Sequence, residues 1–172
     1  MDEAGADPVN DALRVLRVGS TPALHGISAL AADLHRTNAR LWWLEDEARG
    51  ALDDQRLGQV KRSVDRCNMA RAALMTEIDQ LSAAVLPADG LDVSPLSCTI
   101  GLTLDRLTVA VLRVRKFDET GDRRVGYARR QLADLHAATV ADWTDLWLRR
   151  RRLPCAGVLK RYLPAAGAEP TA

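Results

Sequence analysis

Two long runs of apolar residues at helical spacing, parted by one short break, leave most of this chain little alternative to helix. Thr21-Pro22 supplies an N-cap and a proline at the first helical position. From there Leu24, Ile27, Leu30, Leu34, Leu41, Leu44 and Ala48 recur at helical spacing up to Arg49, and Gly50 can end the run. That stretch is about 28 residues, or ~42 Å of helix. A second run starts near Asp53 or Asp54 and carries Leu57, Val60, Val64, Cys67, Leu74, Ile78, Leu81 and Val85 before Pro87 stops it. The pattern predicts a third helix over 102–117. After a turn over 118–122, with Asp122 as cap, a fourth runs to about Arg151 and stops before Pro154.

Strand is disfavoured throughout. Ala, Leu and Arg dominate, aromatic and β-branched residues are sparse, and no stretch alternates apolar and polar for long. With 172 residues, 47% of them apolar, the chain can bury one core. The expected fold is all-α: a single antiparallel bundle of about four long helices, with short extra helices at the ends. Residues 1–20 read as a flexible lead-in with a short helix over 12–18, residues 21–164 as the bundle, and 165–172 as a disordered tail. Another short helical piece is expected over 158–162, and a loop over 88–95.

Charge and cysteine usage narrow the function classes. Lys+Arg is 24 against Asp+Glu 23, which argues against nucleic acid or an anionic membrane as partner. The split of 21 Arg to 3 Lys points to a GC-rich bacterial genome rather than to phosphate chemistry. No apolar run approaches ~18 residues, so no membrane span is expected. The acidic, small residues 1–10 are unlike a secretory leader. Cys67, Cys98 and Cys155 form no CxxC pair and read as reduced thiols, which places the chain in the cytoplasm.

Several polar residues fall where a core is expected. The stripe of the first helix passes through Ile27, Ala31, Leu34, Asn38, Leu41, Glu45 and Ala48, with His35, Trp42 and Arg49 on its border. The second stripe, Val64, Asn68, Arg71, Met75 and Ile78, repeats the anomaly, with Lys61 earlier on the helix. A charge at a core position needs a partner. Folding the two helices back about Asp53 pairs Glu45 with Lys61, Asn38 with Asn68 and His35 with Arg71, and sets Trp42 opposite Val64. On the third helix Gly101 lets the backbone start close to a neighbour. Asp105 and Thr108 share a face there, and Asp105 can accept from Arg71 or His35. The expected polar network is therefore His35, Asn38, Glu45, Lys61, Asn68, Arg71 and Asp105.

The string His35-Arg-Thr-Asn38-Ala-Arg-Leu41-Trp42-Trp-Leu-Glu45-Asp46-Glu-Ala48-Arg49 resembles the bacterial domain-of-unknown-function family 4254. So does Lys61-Arg62-Ser-Val64-Asp65-Arg66-Cys-Asn68-Met-Ala-Arg71, continuing to Ile78-Asp79, and so does the block from Gly101 to Asp105-Arg106-Leu107-Thr108. The similarity is strong over 34–115. This sequence departs in having Ile100 where the family usually has Pro and Arg113 where Lys is common, and in a tail reduced to Lys160-Arg161-Tyr162. The resemblance implies an all-helical fold and a place in bacterial biosynthetic clusters beside glycosyltransferases or other tailoring enzymes. It implies no activity.

Two functions fit these residues. No nucleotide loop, zinc spacing, di-iron pair or nucleophile elbow is present, so neither cofactor nor metal is expected. The leading expectation is a non-catalytic accessory subunit that binds and stabilises a biosynthetic partner, a transferase, in a specialised-metabolite or polysaccharide pathway. A second copy of the chain is an alternative partner. Trp143 and Trp147, one turn apart, read as core or core-edge residues, or else as docking anchors, and one of Trp42-Trp43 must face away from the core. Trp43, Trp143 and Trp147 are the candidate partner contacts. The alternative is a small cofactor-independent enzyme acting on an anionic molecule through His35, Glu45, Arg71 and Asp105, with Arg106 as a further cation. The run 149–152, all Arg, suits a helix C-terminus.

Overall fold

Asp53 and Thr99 decide where two of the four helices begin. The Asp53 carboxylate accepts the Arg56 N–H at 2.7 Å, and the Thr99 hydroxyl accepts the Leu102 N–H at 3.2 Å. Each satisfies a donor that the first helical turn leaves open. The structure, a computed structural model, describes residues 22–50, 53–86 and 92–154. Its helices are α1 (Pro22–Gly50), α2 (Asp54–Val85), α3 (Ile100–Glu119) and α4 (Val125–Trp147). The expected pieces at 12–18, 158–162 and 165–172, the first half of the expected 88–95 loop, the Thr21 cap and Cys155 lie outside the described residues.

The all-α bundle expected from periodicity is what forms. α1 and α2 pack antiparallel: Leu41 and Leu44 cluster with Val60, Val64 and Cys67 near their turn, and Gly26 approaches Leu81 at the far end. α3 returns along α2 and so runs parallel to α1, and α4 packs mainly on α3. The largest core cluster joins Ile27, Ala31 and Leu34 of α1, Ile78 of α2, Ile100 and Leu104 of α3, and Trp143 and Leu146 of α4. Ile27, Leu34, Ile78 and Leu107 are fully buried, each contributing about 1.5–3 kcal/mol over an exposed side chain.

The helix ends differ in how well local signals announce them. α3 ends in a Schellman motif: Gly121 takes φ 63°, its N–H donates to Asp118 O at 3.1 Å, and Asp122 N–H reaches Phe117 O at 2.8 Å. The third helix is thus longer than expected at both ends. Asp122 does precede α4, accepting the Arg124 N–H at 2.8 Å, although the N-cap position itself is Arg124.

The fourth helix stops at Trp147, short of the expected Arg151. Arg149 takes the left-handed conformation, φ 58°, and the same motif closes through Arg149 N–H to Leu146 O and Arg150 N–H to Asp145 O. The chain then turns back against the α2–α3 connection. Leu96 N–H donates to Arg152 O at 2.9 Å and Arg152 N–H to Ser94 O at 3.2 Å, a single parallel bridge.

Candidate functional site

Glycine at 101 brings α2 and α3 close enough to share side chains. A Cβ there would lie 2.4 Å from the Met75 carbonyl oxygen, so only glycine fits this crossing. Asp79 of α2 accepts the Gly101 N–H at 2.7 Å, tying the first turn of α3 to its neighbour. Burial pushes the Asp79 carboxyl above its ordinary range, against the opposing hydrogen bonds from Gly101 and Thr99.

One turn further along α3, Asp105 is 2% exposed and becomes the centre of a three-helix network. Its Oδ1 accepts from Arg71 Nε of α2 at 2.7 Å and from Asn38 Nδ2 of α1 at 2.9 Å, and its Oδ2 accepts from an Arg71 Nη at 2.5 Å. Asn38 gives its second N–H to the Thr108 hydroxyl at 2.8 Å, and that hydroxyl donates to the Asp105 carbonyl at 2.9 Å. The Asp105 carboxylate holds the Arg71 pKa above its ordinary value, with burial opposing it. Every buried polar atom of this ring has a partner, as a low-dielectric site requires.

Three members of the expected network, Asn38, Arg71 and Asp105, do meet. The Asn38–Asn68 pairing across α1 and α2 does not form: among the described residues Asn38 turns to Asp105 and Thr108 instead. Glu45, Lys61 and Asn68 likewise make no hydrogen bond to one another or to the network. The reason is rotation about the helix axes. Leu44 takes the buried position next to half-exposed Glu45, Cys67 takes the one next to half-buried Asn68, and Lys61 is exposed. His35 is half-buried on α1, one turn before Asn38. Of the four candidate catalytic residues, Arg71 and Asp105 engage each other. Buried Thr108 and half-buried Asp79 add further polar contacts to α3. Thr108 was visible as a face-mate of Asp105, whereas nothing local marks Asp79 as a helix tie.

The tryptophans separate. Trp143 is buried in the main core cluster and offers no docking surface, whereas Trp147, one turn on, is 51% exposed beside exposed Leu148. Trp43 is 61% exposed, on the border of a groove of about 340 Å³ between α1 and α2 that Arg40, Arg62 and Arg66 also line. Among the described residues no cluster of three or more His, Cys, Asp or Glu could hold a metal ion, and no helix is long and apolar enough to cross a membrane. Cys67 and Cys98 are free thiols.

These features define an all-helical bundle whose first three helices are pinned by one buried carboxylate–guanidinium–amide ring. The family model described as "Protein of unknown function (DUF4254)" matches residues 28–154, and the chain belongs to that family. Comparison with curated proteins and with solved structures finds no match.

Proposed function

We propose that this chain is a non-catalytic accessory subunit that binds and stabilises a partner biosynthetic enzyme, a transferase, in the bacterial cytoplasm. Trp43 carries the reading. An indole left 61% exposed two turns before the end of a 29-residue helix gives up burial free energy that a partner can supply. Trp and Arg are the residues richest in binding hot spots, and Arg40, Arg62 and Arg66 line the same groove with no acidic partner among the described residues. The fitting partner surface presents an apolar pocket rimmed by carboxylates. The transferase class comes from the setting implied by the family resemblance. An enzyme built on His35, Glu45, Arg71 and Asp105 has less support, since the last two are committed to each other.

The test is co-expression with the transferase proposed as partner, sought among the products of the genes that flank this one. The two should co-elute, and Trp43→Ala should weaken the complex by about 2 kcal/mol, roughly thirtyfold, without changing the helical melt. A transferase that is soluble and active alone, together with separate elution, would refute the assignment.

A further inference from the structure

A second concavity, of about 350 Å³, opens where α2, α3 and α4 meet. It shares no lining residue with the Trp43 groove, so it is a separate surface. Three guanidinium side chains line it: Arg71 from α2, and Arg106 and Arg113 from α3. Arg106 and Arg113 are seven residues apart, two helical turns, and so share a face about 10 Å long. Among the described residues the only acidic one lining it is Asp105, whose two oxygens already accept three hydrogen bonds from Arg71 and Asn38. Pairing Asp105 with Arg71 leaves a formal excess of two positive charges on Arg106 and Arg113. Among the described residues the sole polar contact of Arg106 is a weak one, to the Cys98 sulfur at 3.1 Å. Val109, Ala110 and Leu135 form the apolar part of the wall.

We propose that this cleft binds a phosphomonoester, with the dianionic phosphate between Arg106 and Arg113 and the organic group against Val109, Ala110 and Leu135. Charge count selects phosphate over carboxylate, because two guanidinium groups with no acidic partner among the described residues match a dianion and planar guanidinium forks bond its oxygens in pairs. Arg71 adds preorganisation. Two of its nitrogens are anchored by a buried carboxylate, so the guanidinium loses little freedom when a ligand arrives.

Titration of the full chain with phenyl phosphate, followed by amide NMR, tests the site. Saturable shifts are expected at Val109, Ala110 and Leu135, with benzoate binding at least about tenfold more weakly. Replacing both exposed arginines, Arg106→Gln with Arg113→Gln, should abolish the shifts while leaving the melt intact. Arg62→Gln with Arg66→Gln, in the other groove, should leave them unchanged. Sedimentation with phosphatidic acid vesicles separates the two sources of the group: binding to vesicles but not to phenyl phosphate, lost in the Arg106/Arg113 variant, assigns the site to a lipid headgroup. No binding in either arm, equal binding of benzoate, or shifts that survive the double replacement overturns the proposal.

Discussion

Arg71 and Asp105 lie on different helices, 34 residues apart, and meet through two parallel hydrogen bonds of 2.7 and 2.5 Å. Asp105 is almost wholly buried, while about a third of the Arg71 side chain reaches solvent. The pair therefore spans the boundary between core and cleft. With Asn38 attached to the same carboxylate, one side chain of α3 sets the positions of both earlier helices.

Removing that centre should be costly. Asp105→Ala leaves the Arg71 guanidinium and the Asn38 amide without their acceptor, and we expect a loss of about 3 kcal/mol in urea unfolding. Arg71→Ala should cost a similar amount, since it strands a buried carboxylate. The double variant should lose clearly less than the two single losses combined. Strict additivity would show that the pair is not coupled.

Gly101→Ala tests the crossing of α2 and α3. Its new methyl would meet the Met75 carbonyl, a backbone atom that cannot swing aside, so the helices must separate. A loss of about 1–3 kcal/mol is expected despite the better helix propensity of alanine. Gly126→Ala, on an exposed face of α4 where the new methyl would meet the end of the Arg130 side chain at an ordinary 4.0 Å, is the control and should stabilise slightly. Equal effects at the two glycines would disprove the close approach.

Asp79 predicts a pH dependence whose sign follows from its raised pKa. The folded chain keeps this proton to a higher pH than the unfolded chain does. The stabilising contribution is thus complete below the unfolded value, about 3.9, and is lost as pH rises through the folded value. Asp79→Asn keeps an oxygen for the Gly101 N–H and has no proton to lose. The stability of wild type minus that of the variant should fall from strongly acidic towards neutral pH. Asp122, held down to about 2 by Arg124, titrates alike in both proteins and cancels from the difference. A difference that is flat with pH would contradict the half-buried placement of Asp79.

Arg149 occupies the left-handed position that closes α4. A residue with a Cβ pays about 1 kcal/mol or more there, and glycine does not. Arg149→Gly should raise the melting temperature by a few degrees, after allowing for glycine's greater unfolded-state entropy. A drop in stability would mean that the arginine side chain contributes more than its backbone conformation costs.

How far the helices could be located from local residues depended on where their end signals reside. Pro22, Gly50, Asp53 and Pro87 bracket α1 and α2, and those bounds agree with the structure to within a residue or two. The end of α4 was not legible. Arg149 stands where glycine is usual, the arginines around it favour continued helix, and the chain is turned by Arg152 bonding to Ser94 and Leu96, more than fifty residues away. Arg113 was equally opaque. An exposed arginine reads as a solvated face until α4 lies beside it and makes a cleft wall.

The amino-acid order alone determined that this chain is helical, which apolar stripes supply the core, and that Asn38, Arg71 and Asp105 had to find partners. Periodicity carries that much because it records the angle of each side chain around its own helix axis. It holds no record of which other helix lies across that face. Only the tertiary structure decided that α3 lies parallel to α1 and crosses α2 at Gly101, which sent Asn38 to Asp105 instead of Asn68. A rotation of one helix by less than a residue's arc exchanges Leu44 for Glu45, or Cys67 for Asn68, and packing of the whole core selects among such rotations.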